Sequence, residues 1–429
     1  MRKMKDSGVA WIGAIPEEWE VLRLKYIFSE RDERCEADTE LPLLSVSEYY
    51  GVANRKDKIK EDETLIRAET LEGYKICHPH DIVSNIMLAW KSALGESQST
   101  GIVSPSYCVY QQISDTCTRY FHYLLRTDIY ANVFKQYSTG IIDSRLRLYS
   151  DKFLSLFVQV PSVDEQRRIA DYLDTKCAEI DHSMELVRQG IDKLKEYKKS
   201  VITEAVTKGL DPDVPMKDSG VPWIGEMPET WKIIRLKYVC TLNPRINVDD
   251  INPETELSFF PMESIKNGYV VNTQKKFFSE YCSSYNIFNN GDILLAKVTP
   301  CFENGNIAIA SNLEKCIGFG TSEIFIIRAN NIDNKFLFYW LRNELFKLRA
   351  ISTMSGTGGL KRISSQFMRD ENILVPPRSE QHRISAYLDA KCAEIDTLIA
   401  QKQALLDKLA EYKKSLIFEC VTGKRKVVA

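Results

Sequence analysis

Two phrases in this chain are each written twice, and that duplication restricts the folds open to it more than any single motif. Met4-Lys5-Asp6-Ser7-Gly8-Val9-Ala10-Trp11-Ile12-Gly13, followed by Pro16 and Trp19, returns as Met216-Lys217-Asp218-Ser219-Gly220-Val221-Pro222-Trp223-Ile224-Gly225, followed by Pro228 and Trp231. Glu165-Gln166-Arg167-Arg168-Ile169, with Tyr172-Leu173-Asp174 and Lys176 to Asp181, returns as Glu380-Gln381-His382-Arg383-Ile384, with Tyr387-Leu388-Asp389 and Lys391 to Asp396. Between the paired phrases the two halves share almost nothing. A repeated frame around unrepeated contents predicts two modules of one architecture in a symmetric mount.

The second phrase opens a long helical period in each half. Ile169, Leu173, Cys177, Ile180, Met184, Val187, Ile191, Leu194, Val201 and Ala205 recur mostly at steps of four and three, with Lys198 the polar step. Ile384, Leu388, Cys392, Ile395, Ile399, Leu406, Leu409 and Leu416 hold the matching places. That spacing lays one narrow apolar seam along a helix, as in coiled coils. Pro161 and Pro376-Pro377 precede the helices, with Ser162 or Asp164 and Ser379 as N-caps, and Gly209 and Gly423 as stops. Each helix spans about 40 residues, hence roughly 60 Å at 1.5 Å per residue. Gly190 inside the first is a candidate bend. Matching seams predict that the two helices pack on each other. Antiparallel packing is the economical choice because it relates the halves by a two-fold.

The unrepeated blocks, residues 20–160 and 232–375, follow one order of elements. Strands are expected at Leu43–Val46, Asp81–Met87 and Ser106–Gln111, then at Leu257–Met262, Asp292–Val298 and Ser322–Arg328. A single aromatic helix follows each set, Arg119–Tyr130 or Lys335–Leu348. Next comes a Ser/Gly-rich loop with cations, Ser138 to Arg147 or Ser355-Gly356-Thr357-Gly358-Gly359 to Arg362. The predicted fold class is therefore α+β (mixed α/β), with two globular domains joined by two long antiparallel coiled-coil helices in a pseudo-two-fold internal repeat. The expected divisions are 1–160, 161–210, 211–375 and 376–429.

Catalytic chemistry is not written here. The chain has no Walker-type phosphate loop, no Gly-x-Ser-x-Gly elbow, no metalloprotease histidine spacing and no Asn-Pro-Pro-aromatic motif. Asp81 and Asp292 sit at turns before strands, where capping is the expected job. Eleven cysteines without C-x-x-C spacing or an export signal read as reduced thiols of a cytoplasmic protein. Cys77-His78-Pro79-His80 lacks the second ligand pair that structural zinc requires. No apolar run reaches the length of a membrane span. Net charge is −2, with block charges of −3 for residues 20–160 and +3 for 232–375. Such a balance does not favour a protein that holds nucleic acid alone.

The doubled Ser-Gly-Val-x-Trp-Ile-Gly…Pro…Trp phrase and the doubled Pro…Glu-Gln-x-Arg-Ile…Tyr-Leu-Asp helix entry resemble the specificity (S) subunits of type I restriction-modification systems. The resemblance covers the whole chain in order, at Ser7–Trp19, Pro161–Asp174, Ser219–Trp231 and Pro376–Asp389. It implies a non-catalytic DNA-recognition subunit with target-recognition domains at 1–160 and 211–375 and spacer helices at 161–210 and 376–429. Its expected partners are double-stranded DNA, two methyltransferase (M) subunits and restriction (R) subunits, with no membrane. No cofactor is expected in this chain; S-adenosylmethionine, ATP and Mg2+ would sit on the partner subunits.

Each domain would then read a few base pairs of a bipartite, asymmetric target through base edges. The helix pair would fix the gap, with Ile169, Leu173, Ile180, Leu194, Ile384, Leu388, Ile395 and Leu409 in its seam. Candidate DNA-binding residues are Arg145, Arg147, Lys361 and Arg362 in or near the Gly/Ser loops, with Lys91 and Lys297 after strands at comparable places. The alternatives are a specificity subunit of another multi-subunit restriction system, such as one of type IIB kind, and a duplicated scaffold that binds no DNA.

Overall fold

The computed structural model describes residues 2–57, 71–271, 273–281, 285–357 and 359–428, so Gly358 of the second glycine loop lies outside the described residues. The chain divides into two compact units, Met1–Val187 with Ala404–Ala429, and Arg188–Gln403. Each unit draws on both long helices, Val163–Lys208 and Arg378–Val421, of 46 and 44 residues. Gly190 lies inside the first as an uninterrupted helical residue, beside Lys402.

In the first unit a four-stranded sheet runs in the order Phe28–Arg31, Tyr107–Gln112, Ile82–Asn85, Leu94–Glu96, antiparallel throughout. In the second unit the order is Cys240–Leu242, Ile324–Ala329, Ile293–Ala296, Ile307–Ile309, again antiparallel. Strand for strand these sheets correspond. The chain is a mixed α+β fold built twice, as the repeat predicts. The halves differ beside these sheets. The first unit has two small hairpin-like pairs, Leu44–Ser47 with Gly51–Asn54 and Lys75–Cys77 with Gly101–Val103. The second has a further four-stranded sheet in which Glu256–Phe260 pairs parallel to Ile317–Gly320.

The single aromatic helix expected in each block is two. Thr118–Leu125 and Asp128–Tyr137 are split around Arg126-Thr127, and Asn334–Trp340 and Glu344–Ser352 around Leu341-Arg342-Asn343. At the second split Asn343 is buried and its Oδ1 accepts the Phe346 N–H at 2.8 Å, starting a new helix. At the first, Thr127 Oγ1 donates to the Leu124 carbonyl at 2.8 Å. Apolar periodicity runs across both breaks, which is why the pattern reads as one helix.

The seam residues divide by position. Ile169, Leu173, Cys177 and Ile180 join the core of the first unit together with Leu416, Cys420 and Val421. Ile384, Leu388 and Cys392 join that of the second with Val201, Ile202, Ala205 and Val206. Ile395 is also buried, whereas Leu194 and Leu409 are only half-buried. The helix segments pair antiparallel within each unit. Lys413 reaches Asp181 at 2.6 and 2.7 Å in the first. Lys198, the polar step of the seam, reaches Asp396 at 2.7 and 2.6 Å in the second. Lys198 and Lys413 are equivalent positions of the repeat, as are Asp181 and Asp396, so one ion pair is made twice with its donor and acceptor helices exchanged. Among the described residues no helix is long and apolar enough to cross a membrane.

Candidate nucleic-acid interface

Each unit first builds a rigid seat. The repeated opening phrase folds as a hairpin, Met4–Asp6 on Ala14–Pro16 and Met216–Asp218 on Glu226–Pro228. Its turn is set by Asp6 and Asp218, whose Oδ1 atoms accept the Gly8 and Gly220 N–H groups at 3.0 and 2.9 Å. Trp19 and Trp231, which follow the hairpins, are buried and donate Nε1–H to Glu165 and Glu380 at 3.0 Å each. Gln166 and Gln381 fix the entry of the helices: each side-chain carbonyl accepts a backbone N–H, from Cys117 at 2.8 Å and Asp333 at 2.7 Å. About two turns further, Asp174 accepts from Arg119 and Tyr123, and Asp389 from Lys335 and Tyr339. Glu165, Gln166 and Asp174, and their repeats Glu380, Gln381 and Asp389, thus anchor a module to a helix. These six frame residues are spoken for, and sequence-reading groups come from elsewhere.

They come from two loops that each unit places side by side. In the first unit the turn after Ile82–Asn85 meets the glycine loop through a hydrogen bond from Leu148 N–H to the Ile86 carbonyl, 2.9 Å. Thr139 and Arg147 exchange backbone hydrogen bonds of 2.9 and 3.0 Å, closing the glycine loop as a small hairpin. In the second unit Ile363 N–H donates to the Lys297 carbonyl at 2.9 Å, and Ser355 exchanges bonds of 3.1 and 2.8 Å with Arg362. The loops close alike because Gly140 and Gly356 stand at the same place. A Cβ on Gly140 would fall 2.6 Å from the Arg145 carbonyl oxygen, and one on Gly356 would collide with that of Leu360.

The six candidate cations gather on these loops, three to a unit, in unlike states. Lys91 ends a short 3-10 turn, Ala89–Lys91, with Nζ 5.2 Å from the Trp90 ring centre; Lys135 Nζ lies 4.9 Å from the same ring. Arg145 is exposed and Arg147 half-buried, and among the described residues no carboxylate pairs with either or with Lys91. Lys361 is exposed; its backbone N–H donates to Thr299 Oγ1 at 2.9 Å, which in turn donates to the Gly359 carbonyl at 2.7 Å. Arg362 is committed differently. Its guanidinium holds Glu323 through two bonds of 2.9 Å, and that pairing keeps the Glu323 carboxyl below the usual carboxylate range. Lys297 is half-buried near the Phe325 ring.

Several polar groups that look functional in sequence are structural in placement. Asp81 and Asp292 are buried and cap their turns, accepting the His78 and Asn289 N–H groups at 2.9 and 2.7 Å. The members of Cys77-His78-Pro79-His80 diverge: His78 meets Glu33, His80 meets Glu96, and the Cys77 thiol, pushed up to about 11 by burial, turns inward to Ser97 and Gly101. Arg126 is a half-buried cation that donates to the carbonyls of Ser47, Glu48, Ser92 and Leu94, its pKa pushed down to about 10 by burial and then by Arg119. Sequence reasoning gave no weight to the exposed apolar residues of these loops, Met87, Leu88, Ile141 and Ile142 in the first unit and Leu360 in the second. An Ile-Ile pair inside a Ser/Thr/Gly/Asp loop was the available signal.

Fold and loops define a duplicated two-module α+β protein whose modules are seated on long helices. Residues 228–408 match the family model described as the type I restriction modification DNA specificity domain. The specificity subunit of the type I restriction enzyme EcoAI from Escherichia coli is 33% identical over 196 residues, 45% of this chain and 33% of that one. The EcoEI subunit of the same organism is 29% identical over 231 residues, 53% of this chain and 38% of that one. The chain thus spans little more than a third of the length of these two relatives. The MjaVIII specificity subunit of Methanocaldococcus jannaschii is 26% identical over 437 residues, covering 96% of this chain and 94% of that one. A chain from a structure of complex assembly and conformational transition of the type I R-M system superposes with a TM-score of 0.71 at 15% identity, covering 96% of this chain and 99% of that one. The HsdS subunit from Thermoanaerobacter tengcongensis gives 0.54 at 15% identity, covering 96% and 98%. Family model and relatives alike are of type I restriction-modification specificity subunits, and the solved structures share this chain's fold.

Proposed function

We propose that this chain is the DNA-specificity subunit of a type I restriction-modification complex. It reads a bipartite, asymmetric target, one half-site per module, and it recruits methyltransferase and restriction subunits. The chain itself is non-catalytic and cytoplasmic in this reading, and S-adenosylmethionine, ATP and Mg2+ belong to the subunits it recruits. The carrying observation is the pairing of loops in each module. One architecture presents two different sets of side chains from its paired loops, Lys91, Arg145 and Arg147 against Lys297, Lys361 and Arg362, of which Arg147 and Arg362 hold the same place, each closing its glycine loop.

A hairpin-like loop with exposed cations suits the major groove, where phosphate contacts position and base edges specify. A net charge of −2 makes the chain a weak DNA binder alone, so the partners supply much of the phosphate affinity. Electrophoretic binding with and without a methyltransferase partner tests this. Specific binding that emerges only in the complex supports it; a chain that associates with no methyltransferase overturns it.

A further inference from the structure

The glycine loop of the first module ends in two aliphatic side chains that stand in solvent. Ile141 is 100% exposed and Ile142 51%. The loop carrying them is held, not loose. Thr139 and Arg147 close its base with two backbone bonds, and Arg145 N–H donates to the Ile142 carbonyl at 2.8 Å. Asp143, the acidic residue between them and the arginines, is neutralised by Lys135 at 2.9 Å. Arg145 and Arg147 follow directly, and Lys91 lies on the adjoining loop. The loop's own fold does not demand an Ile-Ile tip: the equivalent loop of the second module, closed the same way, has Thr357 in the place of Ile141 and Gly358 next in sequence, and its exposed apolar residue is Leu360.

We infer that Ile141 and Ile142 read thymine in the half-site of the first module by apolar contact with its C5-methyl group. This rests on the DNA-reading function proposed above. Isoleucine has no donor or acceptor, so it takes no part in the polar code of the major groove. The apolar group that the four bases present there is the thymine methyl. Isoleucine is also stiff at χ1, so a pinned loop offers a preformed apolar surface with little side-chain freedom to lose. Cytosine at the same place lacks the C5-methyl and loses the contact.

The test uses the complex with its methyltransferase subunits and the target found by mapping adenine methylation. Thymines are replaced by deoxyuridine in one half-site at a time, and affinities are measured for wild type and for the I141A/I142A variant, whose changes lie on the surface. Wild type loses about tenfold on uracil in one half-site. The variant binds the thymine duplex about as weakly and loses nothing more on uracil. A variant with the wild-type affinity, or with the wild-type ratio of thymine to uracil binding, overturns the assignment, as does a target without thymine in either half. Absence of any sequence-specific methylation would instead strike the DNA-reading function itself.

Discussion

Glu165 holds together three parts of the first module. Its carboxylate accepts from Trp19 Nε1 and takes Arg2 in two bonds of 2.7 and 2.9 Å. Glu165→Ala leaves the buried indole N–H without a partner, at a cost of about 1–3 kcal/mol, read as a lower urea midpoint for the isolated chain. His122 gives a pH dependence. It is fully enclosed, its Nδ1 accepts the Glu96 N–H at 3.1 Å, and burial, then Arg126 and Arg119, hold its pKa well below 6.5. The unfolded chain therefore takes up a proton that the folded chain refuses. The stability contributed by neutral His122 is complete above about pH 6.5 and is lost as pH falls below it. Urea unfolding from pH 8 to pH 5.5 should show the decline, and His122→Gln should flatten it. Asp81 and Asp292 show how far sequence reaches at this scale. Their capping role was legible from the turns they occupy. Their partners were not, because Arg31 comes from the strand Phe28–Arg31 and Arg328 from the non-equivalent strand Ile324–Ala329. Two modules arrived at the same pairing of a buried aspartate with a half-buried arginine by different routes.

Among elements, the long helices were the most legible feature, since a seam sustained over ten turns has few other readings. What the seam touches was not. Its early positions serve the module cores, where Trp19 and Trp231 close over Gly423 and Gly209 so that an added Cβ would fall 3.1 and 3.3 Å from their rings. Its middle positions serve helix against helix. Leu388→Ala should then cost about 2–5 kcal/mol, as for a filled core site, whereas Leu194→Ala, half-buried, should cost much less. Paired urea denaturation curves check this, and equal losses would contradict the division. The split of each aromatic helix was hidden because its cause is one buried asparagine cap in the second module and a threonine in the first, which leave the apolar period intact. The loops were recognisable as glycine loops. Their closure onto the preceding turn was not, since it depends on backbone bonds between residues about 60 apart.

At the scale of the whole molecule, what repeats is the frame: hairpin, tryptophan, glutamate-glutamine entry, helix and a twice-made Lys–Asp pair. What differs is confined to the blocks between Trp19 and Pro161 and between Trp231 and Pro376, where the two loop pairs carry unlike side chains. In the proposed function the frame sets a distance and the blocks set a sequence. Inserting one heptad into each long helix should lengthen the unread gap of the target while leaving both half-sites unchanged; an unaltered gap would refute the role of the helices as a ruler. The most direct measurement is a genome-wide map of adenine methylation in a host with and without this chain. The account predicts a bipartite, asymmetric sequence methylated only when the chain is present. A map that is unchanged by the chain, or a continuous or palindromic motif, would contradict it.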